Sequence, residues 1–235
     1  MTYRIAHLFA DYGVESEALS SLGDVFRFTI EPQPNRFDAA AFEIDLMEST
    51  PAGRYDLVFA HPKCTKWCDM PNVDPEDHED QIDRAREIAR SIGDEYVIEN
   101  KPRAPLDEPV RLNGRMFGLP IDYERAFETS FAVETPAWNQ PLNGKTVSPY
   151  YYSDRTTEWW KQVKGVRGDY PKQHIAKNAL PAVYVEYIAR HWLESRDSRD
   201  AEVPQDNNSR VPRTVADDQA TLVEAGNAGK SGGQQ

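Results

Sequence analysis

The sequence predicts an α/β fold built on a mainly parallel sheet. Short apolar runs at Tyr3–Phe9, Val25–Ile30, Asp56–Ala60 and Tyr96–Ile98 alternate with helical stretches, the pattern of a sheet with both faces covered. Ile82, Ala85, Ile88, Ala89 and Ile92 fall on one stripe at helical spacing, as on a helix that lies against such a sheet. The residues with reactive side chains follow strand ends. Cys64 comes just after Asp56–Ala60, and Glu99-Asn100 just after Tyr96–Ile98. Open α/β sheets bind their ligands outside the carboxyl ends of the strands, so a cysteine and a carboxylate placed there can share one pocket.

The elements read as follows. The strand Tyr3–Phe9 leads into a turn at Asp11-Tyr12-Gly13. Val14–Leu22 reads as a short helix closed by Gly23. Val25–Ile30 is a strand ending in Glu31-Pro32. Phe37–Met47 is expected to be a short helix containing Asp45. Asp56–Ala60 is the third strand. Glu76–Ile92 is expected as one helix, with Pro75 in its first turn and Gly93 at its end. Tyr96–Ile98 is the fourth strand. Residues 111–131 read as a loop followed by a strand or hairpin. Residues 136–176 are rich in proline, glycine and aromatics and show no period. Pro181–Leu193 reads as a helix. Beyond Trp192 there is no aromatic residue, and 195–235 is polar enough to predict a disordered tail. The boundaries are then a core over 1–135, an irregular region over 136–176, a helix completing the core over 177–194, and the tail over 195–235.

Composition narrows the function classes. The chain has 235 residues and a net charge of −12. No apolar run reaches membrane-spanning length and no signal peptide is recognised, so a cytoplasmic, monomeric protein is expected. The two cysteines, Cys64 and Cys68, lie four apart and build no disulfide framework. Overall acidity argues weakly against a nucleic-acid partner, but its distribution is uneven. Between Trp138 and Lys177, seven basic residues (Lys145, Arg155, Lys161, Lys164, Arg167, Lys172, Lys177) face three acidic ones. Trp138, Tyr150, Tyr151, Tyr152, Trp159 and Trp160 interleave with these cations, a combination suited to stacking on bases and contacting phosphates, though such aromatics equally well fill a core under a long loop.

Cys64 closes the run Ala60-His61-Pro62-Lys63-Cys64-Thr65. Taken alone it reads as a small buried hydrophobe. The turn at Pro62 lifts it off the strand end, and the Lys63 ammonium would favour its thiolate. A zinc reading competes, from His61, Cys64, Cys68 and His78, but their spacing matches no standard zinc module and no metal is expected. Glu99-Asn100 by itself reads as a polar strand end before Pro102.

The order and wording of these segments resemble DNA (cytosine-5) methyltransferases over about residues 3 to 193. The carriers are Pro62-Lys63-Cys64-Thr65 (where the family has Pro-Pro-Cys), Glu99-Asn100, Gly114-Arg115-Met116-Phe117-Gly118-Leu119 followed by Tyr123-Glu124-Arg125, and Asn178-Ala179-Leu180-Pro181. The stretch from Gly114 to Arg125 is similar to small phage and prophage members. The resemblance implies a Rossmann-like sheet that binds S-adenosyl-L-methionine and methylates C5 of cytosine in double-stranded DNA, with a short target-recognition region over 136–176. It implies catalytic roles for Cys64, Glu99, Asn100 and Arg125, Cys64 as covalent nucleophile and Glu99 at N3 of the base. It implies cofactor contacts from Phe9, Gly13, Glu31, Asp45, Pro62 and Asn178. Lys145, Arg155, Lys161, Lys164 and Arg167 become the nucleic-acid contacts. The chain departs from the family at the first turn, where His7 replaces an aspartate and only Gly13 remains of the glycines, and at Tyr123, where the family has a first arginine. Two other readings stay open: a catalytically inactive methyltransferase-like domain that binds DNA or a protein, and an enzyme acting on a free cytidine nucleotide.

Overall fold

The structure, a computed structural model, describes residues 2–34, 39–68, 73–138 and 146–202. Seven strands form one sheet: β1 (Tyr3–Leu8), β2 (Gly23–Thr29), β3 (Ala40–Glu43), β4 (Tyr55–Ala60), β5 (Gly93–Asn100), β6 (Val110–Asn113) and β7 (Glu124–Thr129). Their order is β3-β2-β1-β4-β5-β7-β6. The first five are mutually parallel, and β7 runs antiparallel to both β5 and β6. Among the described residues, five α-helices accompany them: α1 (Ser16–Leu19), α2 (Ile82–Ile92), α3 (Thr157–Lys164), α4 (Lys172–Lys177) and α5 (Ala182–Glu202). The mainly parallel α/β sheet predicted from sequence is present. The chain divides into a unit over 1–198 and a segment over 199–235.

Side chains alternate between the two faces of the sheet, as the pleat requires. Ile5, Leu57, Phe59 and Val97 join one core with Trp160, Ile175, Tyr184 and Trp192. Ala6, Leu8, Val58, Ala60 and Ile98 join the other with Ile82, Ala85, Ile88, Ala89 and Ile92 of α2. Each stripe residue of α2 is buried.

Four expectations change. Of the helix expected over 37–47, residues 35–38 lie outside the described residues and 40–43 form β3, paired in register with Phe26–Thr29. Parallel pairing and the stacking of Phe42 on Phe28, with ring centroids 5.2 Å apart, outweigh the weak local helix preference. The helix expected over 76–92 is broken. Asp74 accepts the Glu76 N–H and caps a single turn at Pro75–Asp77, and α2 begins only at Ile82, whose N–H bonds Asp80. The strand or hairpin expected within 111–131 is present as β6 and β7, which pair antiparallel, its first strand starting already at Val110. The region 136–176 contains α3 and α4 and is no irregular appendage, because Trp160, Val166, Tyr170 and Ile175 are buried in the larger core. The last helix extends past Leu193 to Glu202; the rest of the expected tail, 203–235, lies outside the described residues. No described helix is long and apolar enough to cross a membrane.

Candidate active site

The chain leaves β4 at Ala60 and turns through His61-Pro62-Lys63 into one helical turn, Thr65–Trp67, with half-buried Cys64 at its N-terminus. Asn100, the last residue of neighbouring β5, donates its side-chain N–H to Pro62 O at 3.0 Å and accepts the Lys101 N–H at 2.8 Å. That pair of bonds ties the cysteine turn to the end of β5. Glu99, one residue earlier, is fully buried.

Arg125, near the start of β7, joins the two groups. Its Nε donates to Glu99 Oε1, and its Nη1 lies 4.0 Å from Cys64 Sγ. Cys64, Glu99, Asn100 and Arg125, 61 positions apart in sequence, thus form one cluster. Burial opposes the charge on Arg125, but the Glu99 carboxylate outweighs it and raises the guanidinium above its ordinary value. The neighbouring Cys68 thiol, then Arg125, Lys101 and His61, favour the Cys64 thiolate and lower its pKa. Cys68 itself is shifted the other way, first by Cys64 and then by burial, and its thiol donates to Cys64 O at 3.2 Å. The sequence credited Lys63 with this effect, but the Lys63 side chain is exposed and the cations acting on Cys64 come from β7 and from Lys101 beyond β5.

Two clefts meet at this cluster. The larger, about 820 Å³, is lined by Phe9, Gly13, Glu31, Asp45, Pro62 and Asn178, all six residues expected to hold the cofactor, together with Cys64. Phe9 and Gly13 take left-handed backbone angles, with φ of 55° and 64°. Glu31 lies just past β2. Asp45 accepts the Met47 N–H. Gly13 is required by close approach, since a Cβ there would lie 2.3 Å from Arg27 Nε. The smaller cleft, about 550 Å³, is lined by Cys64, Lys101, Arg103, Arg111, Tyr123, Tyr150, Lys177 and Asn178. Cys64 and Asn178 line both. Asn178 closes α4.

The cationic residues expected on a nucleic-acid surface fare differently. Lys145 lies outside the described residues. Lys164 is buried and cannot reach a phosphate; it donates to Ala176 O and Ala179 O, and burial lowers its pKa well below the ordinary lysine value. Lys161 pairs with Asp169 at 3.1 Å. Arg167 donates to Glu17 O, and Arg155 lies over the Trp159 ring. None of these four lines either cleft. The cations that line the smaller cleft with Cys64 are Lys101, Arg103, Arg111 and Lys177.

Sequence reasoning also missed a buried acid–base array. His61 Nε2 stands 3.2 Å from Glu99 Oε2, and its Nδ1 3.6 Å from Glu15 Oε1. Glu15 Oε2 faces His7 Nε2 at 3.8 Å, and His7 Nδ1 pairs with Ser16 Oγ at 2.8 Å. Burial would lower the His61 pKa, but Glu99 and Glu15 outweigh it and raise it to about 9. Burial lowers His7 to about 3. The available signal was a histidine at the end of each of two apolar strands. Among the described residues, no three His, Cys, Asp or Glu side chains converge as a metal site.

No family model and no curated protein matches the chain. Solved structures do. The Entamoeba histolytica methyltransferase EhMeth matches with TM-score 0.58 and 9% identity, over 83% of this chain and 99% of that one. The S. pombe Dnmt2 methyltransferase matches with TM-score 0.55 and 12% identity, over the same shares of the two chains. A protein described as a DNA modification methyltransferase encoded within an E. coli prophage matches with TM-score 0.41 and 12% identity, and this chain covers 53% of it, about half its length. The class that the first two likenesses define is a fold: the Rossmann-like α/β fold of methyltransferases.

Proposed function

We propose that this chain transfers a methyl group from S-adenosyl-L-methionine to C5 of cytosine in double-stranded DNA, with Cys64 as covalent nucleophile. One observation carries the reading: Arg125 binds Glu99 and reaches Cys64 Sγ, so a nucleophile, a carboxylate and a fixed cation stand at the junction of two clefts. The cluster also holds polar atoms ready for a ligand. Arg125 Nη2 donates no hydrogen bond, and Glu99 Oε2 accepts none of good geometry, although both are buried. Buried polar groups normally find partners. A cytosine ring offers an acceptor at O2 for the unpaired Arg125 Nη2 and a donor at its 4-amino group for Glu99 Oε2, which His61 Nε2 approaches to 3.2 Å without forming a hydrogen bond.

The larger cleft suits the cofactor. Glu31 stands where a carboxylate holds ribose hydroxyls in related nucleotide-binding sheets. Phe9, Leu46 and Pro62 supply apolar walls. Asp45, Gly13 and Asn178 complete the set the resemblance implies. Bound there, S-adenosyl-L-methionine would supply an electrophilic methyl group. The chain's own residues do the rest. A base cannot be reached inside the duplex stack, so the cytosine enters the smaller cleft flipped out. Cys64 adds to C6 and makes C5 nucleophilic. Arg125 holds Glu99 against the pyrimidine edge, and Asn100 holds the turn that carries Cys64. Splitting one difficult displacement into addition and elimination is the advantage of a covalent nucleophile. Lys101, Arg103, Arg111 and Lys177 form the phosphate-contacting rim, and Tyr150, 59% exposed, offers a stacking face from the 136–176 region.

The test is a duplex containing 5-fluorocytosine, incubated with the protein and S-adenosyl-L-methionine. A covalent adduct mapped by mass spectrometry to Cys64 is the expected result, because fluorine at C5 blocks the proton loss that precedes release. Cofactor binding with no adduct and no methylated cytosine would overturn the reading.

A further inference from the structure

Glu99 is flanked by cations on both oxygens, Arg125 at Oε1 and His61 at Oε2. Behind His61 lies Glu15, fixed by the Leu180 N–H at 2.9 Å and backed by His7. His61 is only 15% exposed and lines the larger cleft, while its Nε2 faces the carboxylate of the cysteine cluster. It therefore bridges the two halves of the site.

The bridge bears on where a proton comes from. When a thiolate adds to C6 of cytosine, the Sγ–C6 bond forms. The C5=C6 electron pair moves to C4–C5, and the C4=N3 pair settles on N3, which must take a proton. Of the two side chains that touch Glu99, one must supply that proton. Arg125 does not release one under any physiological condition. An imidazolium does.

Resting on the cytosine reading above, we propose that His61 is a positioning residue that acts through Glu99, lending its Nε2 proton to Oε2 as Glu99 protonates N3. His61 is left neutral after the addition. After methyl transfer the C5 proton passes to solvent water, the C5=C6 bond re-forms, Cys64 leaves as thiolate, and the N3 proton returns to His61 by the same route, so the cycle leaves its charge unchanged. Glu15 holds the imidazolium between turnovers. The titratable and charged groups around His61 are Glu15, Glu99, His7, Arg125, Cys64 and His174. The two carboxylates favour its charged form and Arg125 opposes it.

The experiment compares kcat against pH, from 6 to 10, for the wild type and His61→Gln on duplex DNA at saturating S-adenosyl-L-methionine. Glutamine keeps an N–H donor for Glu99 and loses the exchangeable charge. The wild type should lose activity as pH rises past about 9. His61→Gln should fall on the order of 100-fold in kcat near neutrality, with KM for DNA within about twofold, and should lose that alkaline limb. A purely structural strut would be rescued by glutamine, so a wild-type profile in His61→Gln overturns the proposal. If His61→Gln does not fold, Glu15→Gln takes its place. Removing one carboxylate should move the alkaline limb to lower pH, and an unmoved limb overturns the proposal. A wild type that methylates no cytosine overturns the underlying reading and the proposal together, whereas wild-type turnover with unmoved profiles overturns the proposal alone.

Discussion

Lys164 Nζ lies 3.7 Å from the centroid of the Tyr123 ring. The same Tyr123 donates its hydroxyl to Lys177 O and Asn178 O, at 3.0 and 3.2 Å. Tyr184 in turn donates to Tyr123 O. A lysine of α3, the residue before β7 and the end of α4 are therefore held as one block beneath the cysteine cluster. Tyr123 stands where the resemblance would put an arginine, and the structure uses it to anchor the segment that carries Asn178.

Lys164 is for this reason expected to matter for folding and not for DNA contact. Lys164→Glu puts an unpaired carboxylate against two carbonyl oxygens in a buried site and should cost roughly 3 kcal/mol or more. Arg111→Glu, at the rim of the smaller cleft, should leave the melting temperature within a few degrees. It should weaken duplex binding and flatten its salt dependence, with a log–log slope reduced by about 1. Thermal melts and binding titrations at several salt concentrations check both. Equal stability of the two variants would show that Lys164 is not buried as described.

Cys64 and Cys68 should separate cleanly. Cys64→Ser is expected to abolish methyl transfer while leaving the fold intact. Cys68→Ser is expected to retain activity, but Cys64 loses the neighbour that contributes most to its lowered pKa. The pH at which iodoacetamide alkylates Cys64 should then rise. Rates of alkylation followed from pH 4 to 9 in both proteins measure it, and identical curves would remove Cys68 from the account.

Gly13→Ala should harm both fold and cofactor site. The position has φ of 64°, and an added Cβ meets the Arg27 side chain. Arg27 cannot easily give way, because its Nη2 donates to Asp11 O and Gln33 O. A loss of roughly 2 kcal/mol is expected from the strained backbone and the clash. Urea denaturation gives the stability, and calorimetry should show weakened S-adenosyl-L-methionine binding.

The Glu15–His61 pair sets a pH window. His61 has a raised folded-state pKa, so its stabilisation is complete below its unfolded value of 6.5 and is lost as pH rises through about 9. Burial opposes ionisation of Glu15, but His61 outweighs it and depresses its pKa. The Glu15 contribution is present above its unfolded value of 4.5 and is lost as pH falls further. Urea midpoints of the wild type should thus fall between pH 6.5 and 9.5, and those of His61→Gln should fall less.

The parts of this molecule legible in its sequence are those where local pattern and tertiary role coincide. The α2 stripe from Ile82 to Ile92 is long enough to show its period, and all five residues are buried. Cys64 and Glu99 could be placed because one follows and the other lies at the end of an apolar strand. The β3 strand could not, since four exposed residues carry no alternation and gain their conformation from pairing with β2. Helices α3 and α4, of eight and six residues, make about two turns each and leave no period to read. Lys164 looked solvated beside Lys161, yet one helical turn separates a surface pair with Asp169 from full burial. His61 was legible as a zinc candidate and missed as a partner of Glu99, because Glu15 and Glu99 reach it from distant segments.

The reversed direction of β7 decides which loops of this protein can vary. Glu99 lies directly across from Phe127, so Arg125 shares their face as the diagonal neighbour. Run the other way over the same span, β7 would shift Arg125 three positions along the strand, on the order of 10 Å, and turn it off the face of Glu99. Slipped by one residue, it would turn Arg125 to the opposite face. The cluster is in this sense a matter of phase between two strands, set by the pairing of 97–100 with 126–129. Residues added to the connection over 101–109 leave that phase untouched, whereas a single residue inserted between Arg125 and Phe127 inverts it. Length variation is tolerable at the mouth of the smaller cleft and forbidden within the hairpin that arms it.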